Sequence, residues 1–238
     1  VQLDIKQELG VGVLTGNVGV QAINTEQNST GVAFADIDGD GAADRVDLSL
    51  GDNYWDVLPS ANLSLRTDSG WVFRVAASRQ IQRPQLDDLR VAISYGINNN
   101  AGESPTGEAP FISGGGGNPL LRPYRANAVD LNIEKYFAGG AGVIAAQVFY
   151  KDLVSYMDGS RVIFDYAPFP QPAGQTPATT IGFLDSEVNT GGGNFYGVEL
   201  AATVPFDVFT GALNGFGVTG GAGYTKTKVE NANGDTDQ

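Results

Sequence analysis

The chain has 238 residues, of which 33 are Gly and none is Cys or His, and its 27 acidic residues exceed its 14 basic ones by 27 − 14 = 13. The missing Cys and His exclude disulfides, thiolate or imidazole metal ligands, thiol nucleophiles and a Ser-His-Asp triad, so no enzyme is expected. The negative charge argues against a phosphate-backbone partner, and no nucleic acid is expected. Gly at about 14% is twice ordinary usage, and 17% charged residues is well below the usual quarter, which points away from a helical or plain soluble globule.

No apolar run approaches the ~20 residues of a spanning helix. A period of two recurs instead, in eight segments that alternate apolar and polar residues as strands do. VQLDIKQ opens the chain as the end of one strand, and LTGNVGVQAINT follows from Leu14. From Tyr54, YWDVLPSANLSLRT sets Trp55, Val57, Pro59, Ala61, Leu63 and Leu65 against Asp56, Ser60, Asn62, Ser64 and Arg66, with Leu58 an exception. WVFRVAASRQIQR starts at Trp71, ANAVDLNIEKYF places Val129, Leu131 and Ile133 on one face, and VIAAQVFYKD does the same with Ile144, Ala146, Val148 and Tyr150. NFYGVELAATVPF and the Gly-rich FGVTGGAGYTKTK from Phe216 complete the set.

The connections alternate strictly between short and long. Glu8 to Gly12, Asp68-Ser69-Gly70, Ala138 to Gly142 and Asp207 to Asn214 are short, with Gly70 expected at positive φ. Asn28–Asn53, Pro84–Arg125 and Asp158–Gly193 are long, and structureless connections of that length are rare in compact soluble domains. Aromatics cluster near the strand ends: Tyr54 and Trp55, Trp71 and Phe73, Tyr136 and Phe137, Tyr156, Phe195 and Tyr196, Phe206 and Phe209. These features together predict an all-β transmembrane antiparallel up-and-down β-barrel, with short periplasmic turns, long extracellular loops and aromatic girdles at both borders of an apolar band. The expected location is a bacterial outer membrane, with its lipid as one partner. With short turns inside, both chain ends emerge on the outer side, and eight strands leave two edges unpaired, so a fragment of a larger barrel is expected. The alternative reading is a secreted or cell-surface calcium-stabilised β-sandwich, an adhesin or carbohydrate-binding module, whose apolar faces would meet in a dry centre.

The first long connection contains DIDGDGAADRVD, Asp36 to Asp47. Asp36, Asp38 and Asp40 fall at positions 1, 3 and 5 of a twelve-residue calcium loop, Gly41 at the tight turn, Ala42 as a backbone carbonyl at 7, Asp44 at 9 and Asp47 at 12. Five carboxylates so close repel one another unless a hard cation sits between them, and Ca²⁺ is the expected ion. Asp47 stands where the pattern has Glu, and its shorter reach implies weak affinity, of the roughly 10⁻⁴–10⁻³ M class of extracellular sites. The Gly114–Gly117 and Gly191–Gly193 runs precede neither a helix nor a Lys-Ser/Thr pair and are not read as phosphate cradles. Pro168 to Pro177 reads as a stiff outer segment.

An ordered set of motifs resembles a known family. YWDVLPSANL from Tyr54, VAASRQIQRPQLDDL from Val75, GNPLLRP from Gly117 leading into AVDLNIEKYF, VFYKDL from Val148 and the run FYGVEL…GALNGFGVTGGAGYT are similar to the C-terminal barrel portion of TonB-dependent outer-membrane receptors, particularly those of sphingomonad and Caulobacter-like bacteria. The resemblance implies that residues 1–238 form part of a single receptor barrel domain, with the plug domain and the final strands absent from this chain. It also implies active uptake of a scarce small-molecule nutrient (siderophore-iron, cobalamin or carbohydrate) energised by the TonB complex through that plug. One departure is Gln21, where the family commonly carries Arg after GNVGV. GNPLLRP itself is expected to fix an extended approach to the next strand through its two prolines, which is a structural role.

Overall fold

The structure, a computed structural model, describes residues 1–36, 38, 40–97, 112–167, 169, 179–230 and 236–237. Apart from Phe169, the Pro168–Pro177 segment lies outside the described residues. The described chain is strands joined by turns: β1 (Gln2–Leu9), β2 (Gly12–Ala35), β3 (Asp44–Thr67), β4 (Trp71–Gln82), β5 (Ala92–Ile97), β6 (Ile112–Gly116), β7 (Tyr124–Phe137), β8 (Gly142–Asp165), β9 (Ile181–Thr190), β10 (Gly193–Pro205), β11 (Gly217–Glu230) and β12 (Thr236–Asp237). The only helical pieces among the described residues are three single 3₁₀ turns at Ala138–Gly140, Phe206–Val208 and Gly211–Leu213, all in short connections.

Eight strands are the eight alternating segments of the sequence. They pair antiparallel in the order β1-β2-β3-β4-β7-β8-β10-β11, an up-and-down wall. The hairpin turn at Asp68-Ser69-Gly70 closes as its sequence requires, with Gly70 at φ 82° and its N–H donating to the carbonyl of Thr67.

The two faces of this wall decide between barrel and sandwich. On the apolar face Trp55 is 66% exposed, Leu131 48%, Val148 52% and Leu200 54%. The apolar faces do not meet one another in a dry layer. On the polar face Tyr54 (6%) and Asp56 (3%) are buried. An apolar surface this continuous is costly in water and suits hydrocarbon. Its border also carries the tilt of a barrel. Register links Ala61, Ala77, Val129, Tyr150, Tyr196 and Lys226 in one row across six strands. Relative to that row, the exposed aromatic near the upper border of β3 is Trp55, six residues above, whereas on β11 it is Tyr224, two below. A drop of eight residues is about 26 Å at ~3.3 Å per residue, over five strand steps of ~4.8 Å, about 24 Å. The strands therefore lie at about 45° to the border, the tilt of a transmembrane β-barrel.

The long connections differ from the expectation of loops without structure. The 24-residue strands β2, β3 and β8 span about 80 Å each, far beyond the ~9–11 residues that cross a membrane. Asn28–Asn53 is mostly hairpin, Pro84–Arg125 contains β5 and β6, and Asp158–Gly193 contains the end of β8 and all of β9. Val46, Leu48 and Leu50 alternate with Asp47 and Ser49, so the strand period continues through the acidic segment. Above the wall β2 pairs parallel with β5 (Val32–Phe34 with Ala92–Ser94), β5 with β6, β6 parallel with β9 (Ser113–Gly115 with Phe183–Asp185), and β9 with the upper half of β8. The pairing circuit β2-β3-β4-β7-β8-β9-β6-β5 thus closes on itself through eight strands. Its head encloses an apolar cluster of Ala33, Ile93, Tyr95, Ile112, Tyr166 and Leu184, with Val46, Leu48 and Phe164 against it. Gly31 permits the close pairing of β2 with the approach to β5, because a Cβ there would lie 1.9 Å from the carbonyl oxygen of Val91.

The aromatic girdle also needs correction. Tyr54 points inward, and Phe195 stacks on the buried Phe149 at 5.2 Å on the inner face. Near a strand end, the parity of the position, rather than the ring itself, sets which side it faces.

Candidate functional site

Two polar constellations stand out, one at the tip of the β2–β3 hairpin and one on the inner face beneath the head. At the tip, carboxylate oxygens of Asp36, Asp38 and Asp40 all lie within 4.8 Å of one another. Side chains fold back on the loop's own backbone: the Gly41 N–H donates to Asp36 Oδ2 (3.0 Å), the Asp40 N–H to Asp38 Oδ1 (3.1 Å) and the Ala42 N–H to Asp40 Oδ1 (2.7 Å). Gly41 sits at φ 87°, the conformation expected of the sixth position in a tight turn. Asp44 begins β3 opposite Ala35. Asp47 lies three residues further along that strand, where Arg45 Nε donates to its Oδ1 at 3.3 Å. The fold therefore gathers the first three carboxylates and places Asp44 at the loop's exit. It holds Asp47 on the exposed strand beside a cation.

The second constellation is built by β3 and by the approach to β7. Asp52, Tyr54 and Asp56 lie two residues apart on the inner face of β3. Arg122, from GNPLLRP, donates through Nε to Asp52 Oδ2 at 2.9 Å, and Arg125 through Nε to Asp56 Oδ1 at 2.6 Å. Both guanidinium groups lie over the Tyr54 ring, that of Arg122 5.5 Å and that of Arg125 5.8 Å from its centroid. Arg122 holds the Asp52 carboxyl below its ordinary range, chiefly by that hydrogen bond. Asp56 Oδ2 is buried with no hydrogen-bond partner among the described residues. A carboxylate oxygen in that state has an acceptor to offer to whatever enters the interior.

GNPLLRP is the anchor of this arrangement. Asn118 donates its N–H to the Asp88 carbonyl (2.7 Å) and Nδ2 to the Glu187 carbonyl (2.9 Å), tying the turn after β4 to β9. Gln27 Nε2 on β2 donates to the carbonyls of Pro119 and Leu121, both at 2.8 Å, while the Tyr54 hydroxyl donates to Gln27 Oε1 at 3.2 Å. Asn189 brackets Arg122 through its N–H and its carbonyl. Leu121 is fully buried beneath the segment. The motif's role is structural, but it acts as a hydrogen-bonded turn at Pro119–Leu120, closed by the Leu121 N–H on the Asn118 carbonyl at 3.2 Å, rather than as the extended approach expected of its two prolines. Lower on the inner face Arg74 pairs with Glu134, which also accepts from the Tyr136 hydroxyl at 2.8 Å.

The sequence contained both halves of the Tyr54 constellation, but it could not join them. Asp52, Tyr54 and Asp56 share a polar stripe with period two, yet their partners lie about 70 residues away in a segment read as loop.

A chain with this inward polar face, outward apolar face and short–long alternation can be compared with known proteins. Residues 8–238 match the family model "TonB dependent receptor-like, beta-barrel". The chain belongs to the TonB-dependent receptor β-barrel family. Among curated proteins no sequence matches it. Solved structures with a similar course include the siderophore receptor PirA from Acinetobacter baumannii, at 14% identity over 86% of this chain and 34% of that one, TM-score 0.44. Another is the ferric enterobactin receptor PfeA from Pseudomonas aeruginosa, at 15% identity over 86% and 32%, TM-score 0.47. A third is the Serratia marcescens hemophore receptor HasR, at 13% identity over 93% and 39%, TM-score 0.38. The chain spans about a third of the length of these receptors, and at such scores they carry no argument beyond the family match.

Proposed function

We propose that this TonB-dependent receptor barrel is a wall segment of an outer-membrane active-transport receptor for a scarce nutrient. Cargo would be taken from outside, with energy relayed by the TonB complex through a plug. The observation that carries this reading is the division of the wall into an exposed apolar face and a polar, arginine-bearing inner face beneath a packed head. In such a protein the short turns stand in the periplasm and the head stands outside. Among the described residues the outer edges of β1 and of most of β11 have no strand partner, which supports the reading of residues 1–238 as part of one larger barrel domain. Siderophore-iron, cobalamin and carbohydrate are the cargo classes to test. Cells lacking the protein should lose proton-gradient-dependent uptake of one of these and regain it on complementation. Unchanged uptake of all three would sink the proposal.

The reading extends to Ca²⁺ in the loop Asp36–Asp47, held by Asp36, Asp38, Asp40, the Ala42 carbonyl and Asp44, with Asp47 joining if it leaves Arg45. The convergence of three carboxylates and the positive φ of Gly41 support it, and a bound ion would order the head's first hairpin. Isothermal titration at millimolar calcium is expected to show binding that Asp38→Asn weakens by at least tenfold. No heat, together with no calcium-dependent change in protease cleavage near Gly41, would remove calcium from the account.

A further inference from the structure

Two segments cross the inner face beneath the head. Residues 83–91 lead from β4 to β5, and residues 117–123 lead from β6 to β7. They are tied to one another where the Asn118 N–H meets the Asp88 carbonyl. They are tied to β2 where the Val91 N–H donates to Ser29 Oγ at 2.9 Å and where Gln27 holds the carbonyls of Pro119 and Leu121. The crossing does not fill the space against the wall. A pocket of about 380 Å³ remains, with Thr25 and Tyr54, opposite one another in the β2–β3 register, on its wall side. Its other side is Pro84, Leu89 and Pro119 from the crossing segments. Leu86, 87% exposed, adds further apolar surface to that side.

Arg83 borders the same pocket, is exposed, and makes no ion pair among the described residues. The acids of this region are engaged elsewhere: Asp87 pairs with Arg90 (3.4 Å), Asp52 with Arg122 and Asp56 with Arg125, while Asp88 lies toward Glu187 on β9. Glu26 also borders the pocket, but it alternates with Thr25 and Gln27 along β2 and so points to the opposite face. An uncompensated guanidinium beside an apolar wall suits an oxyanion carried on an apolar body. At ~30 Å³ per non-hydrogen atom the space holds about a dozen such atoms. A siderophore–iron complex or a cobalamin is several times larger, and a neutral sugar leaves the guanidinium unpaired. We propose that the pocket binds a small organic carboxylate as an effector distinct from the cargo, its carboxylate on Arg83 and its apolar body against Leu86, Leu89 and the two prolines. With the wall on one side of it and the crossing segments on the other, the bound molecule clamps the crossing onto β2.

The test is calorimetric titration of the full chain in detergent with 4-phenylbutyrate and, separately, with its neutral counterpart 4-phenylbutanamide. The acid should bind at one site at least tenfold more tightly than the amide. Arg83→Gln should abolish that preference, and Leu86→Ser, at an exposed position, should weaken the acid while leaving it ahead of the amide. Heat-modifiable migration of both variants confirms that the barrel has formed. Amide hydrogen exchange supplies the second readout: 4-phenylbutyrate should slow exchange in residues 85–92 and 118–121 of the wild type and not of Arg83→Gln. Equal binding of acid and amide, or unchanged binding of the acid by Arg83→Gln, would overturn the proposal. Inorganic phosphate binding as tightly as the acid would overturn it too, by reducing the pocket to a bare anion site. Binding without any change in exchange would remove the clamp. No nutrient enters these measurements, so a failed uptake assay leaves the inference standing, and its own failure leaves the uptake reading untouched.

Discussion

The Asp56–Arg125 pair shows what a single inner-face residue does. Asp56 is almost wholly buried, and Arg125 is its ion-pair partner among the described residues. Removing one partner of a buried pair leaves an uncompensated charge, which costs about 3–5 kcal/mol. Arg125→Ala should therefore lower stability by about that much. Arg125→Ala combined with Asp56→Asn should recover much of the loss, since a neutral amide is far cheaper to bury than a lone carboxylate. Chemical denaturation of the three variants in detergent checks the cycle, and equal losses in the single and double variants would show that the pair is not coupled. Asp56 was legible on the polar stripe because strand parity is local, whereas Asp52 fell in a segment read as a long connection and Tyr54 was read as a girdle ring. Their meeting with Arg122 and Arg125 was not legible, because it depends on how GNPLLRP folds over the inner face.

At the scale of elements, the head is held by β5, β6 and β9, three strands whose sequences offer little period-two signal. Ile112–Gly116 reads Ile-Ser-Gly-Gly-Gly, and its pairing with β9 covers only three residues. What binds these pieces is an apolar cluster in which Tyr95 of β5, Ile112 of β6 and Leu184 of β9 join Phe164, Tyr166 and Phe169, the rings lying 4.9–5.7 Å apart and mostly edge to face. Acidic groups on β9 set the pH response of the head. Burial, and then the charges of Asp88 and Asp158, push the Glu187 carboxyl above its ordinary 4.5. A carboxyl raised in the folded state contributes stability that is fully present below pH 4.5 and is lost as pH rises through the folded value. Asp185 behaves in the opposite sense, since its hydrogen bonds with Arg161 lower it. Its contribution is present at neutral pH and lost as pH falls through the depressed value. Glu187→Gln should thus stabilise the head at neutral pH and flatten its loss between mildly acidic and neutral conditions. Amide hydrogen exchange of β9 across that range is the measurement, and a steeper dependence in the variant would contradict the assignment.

For the whole molecule, the decisive property is the orientation of the wall. Trp55 at the head-ward border and Trp71 near the short turns are both exposed on the apolar face. Reconstituted protein should show both tryptophans quenched by lipids brominated near the headgroup more than by lipids brominated at the chain ends. Quenching by aqueous iodide with no response to either lipid would contradict a membrane-spanning wall.

The sequence by itself determined the eight spanning strands, which side of each meets hydrocarbon, the short turns and the acidic loop. All of these follow from side-chain alternation and turn chemistry between residues close in the chain. Tertiary structure alone decided that the long connections form a closed head. It also decided that Arg122 and Arg125 both come over the Tyr54 ring. Each of these depends on pairing between segments distant along the chain, and strand register, which no local pattern encodes, fixes which residues meet.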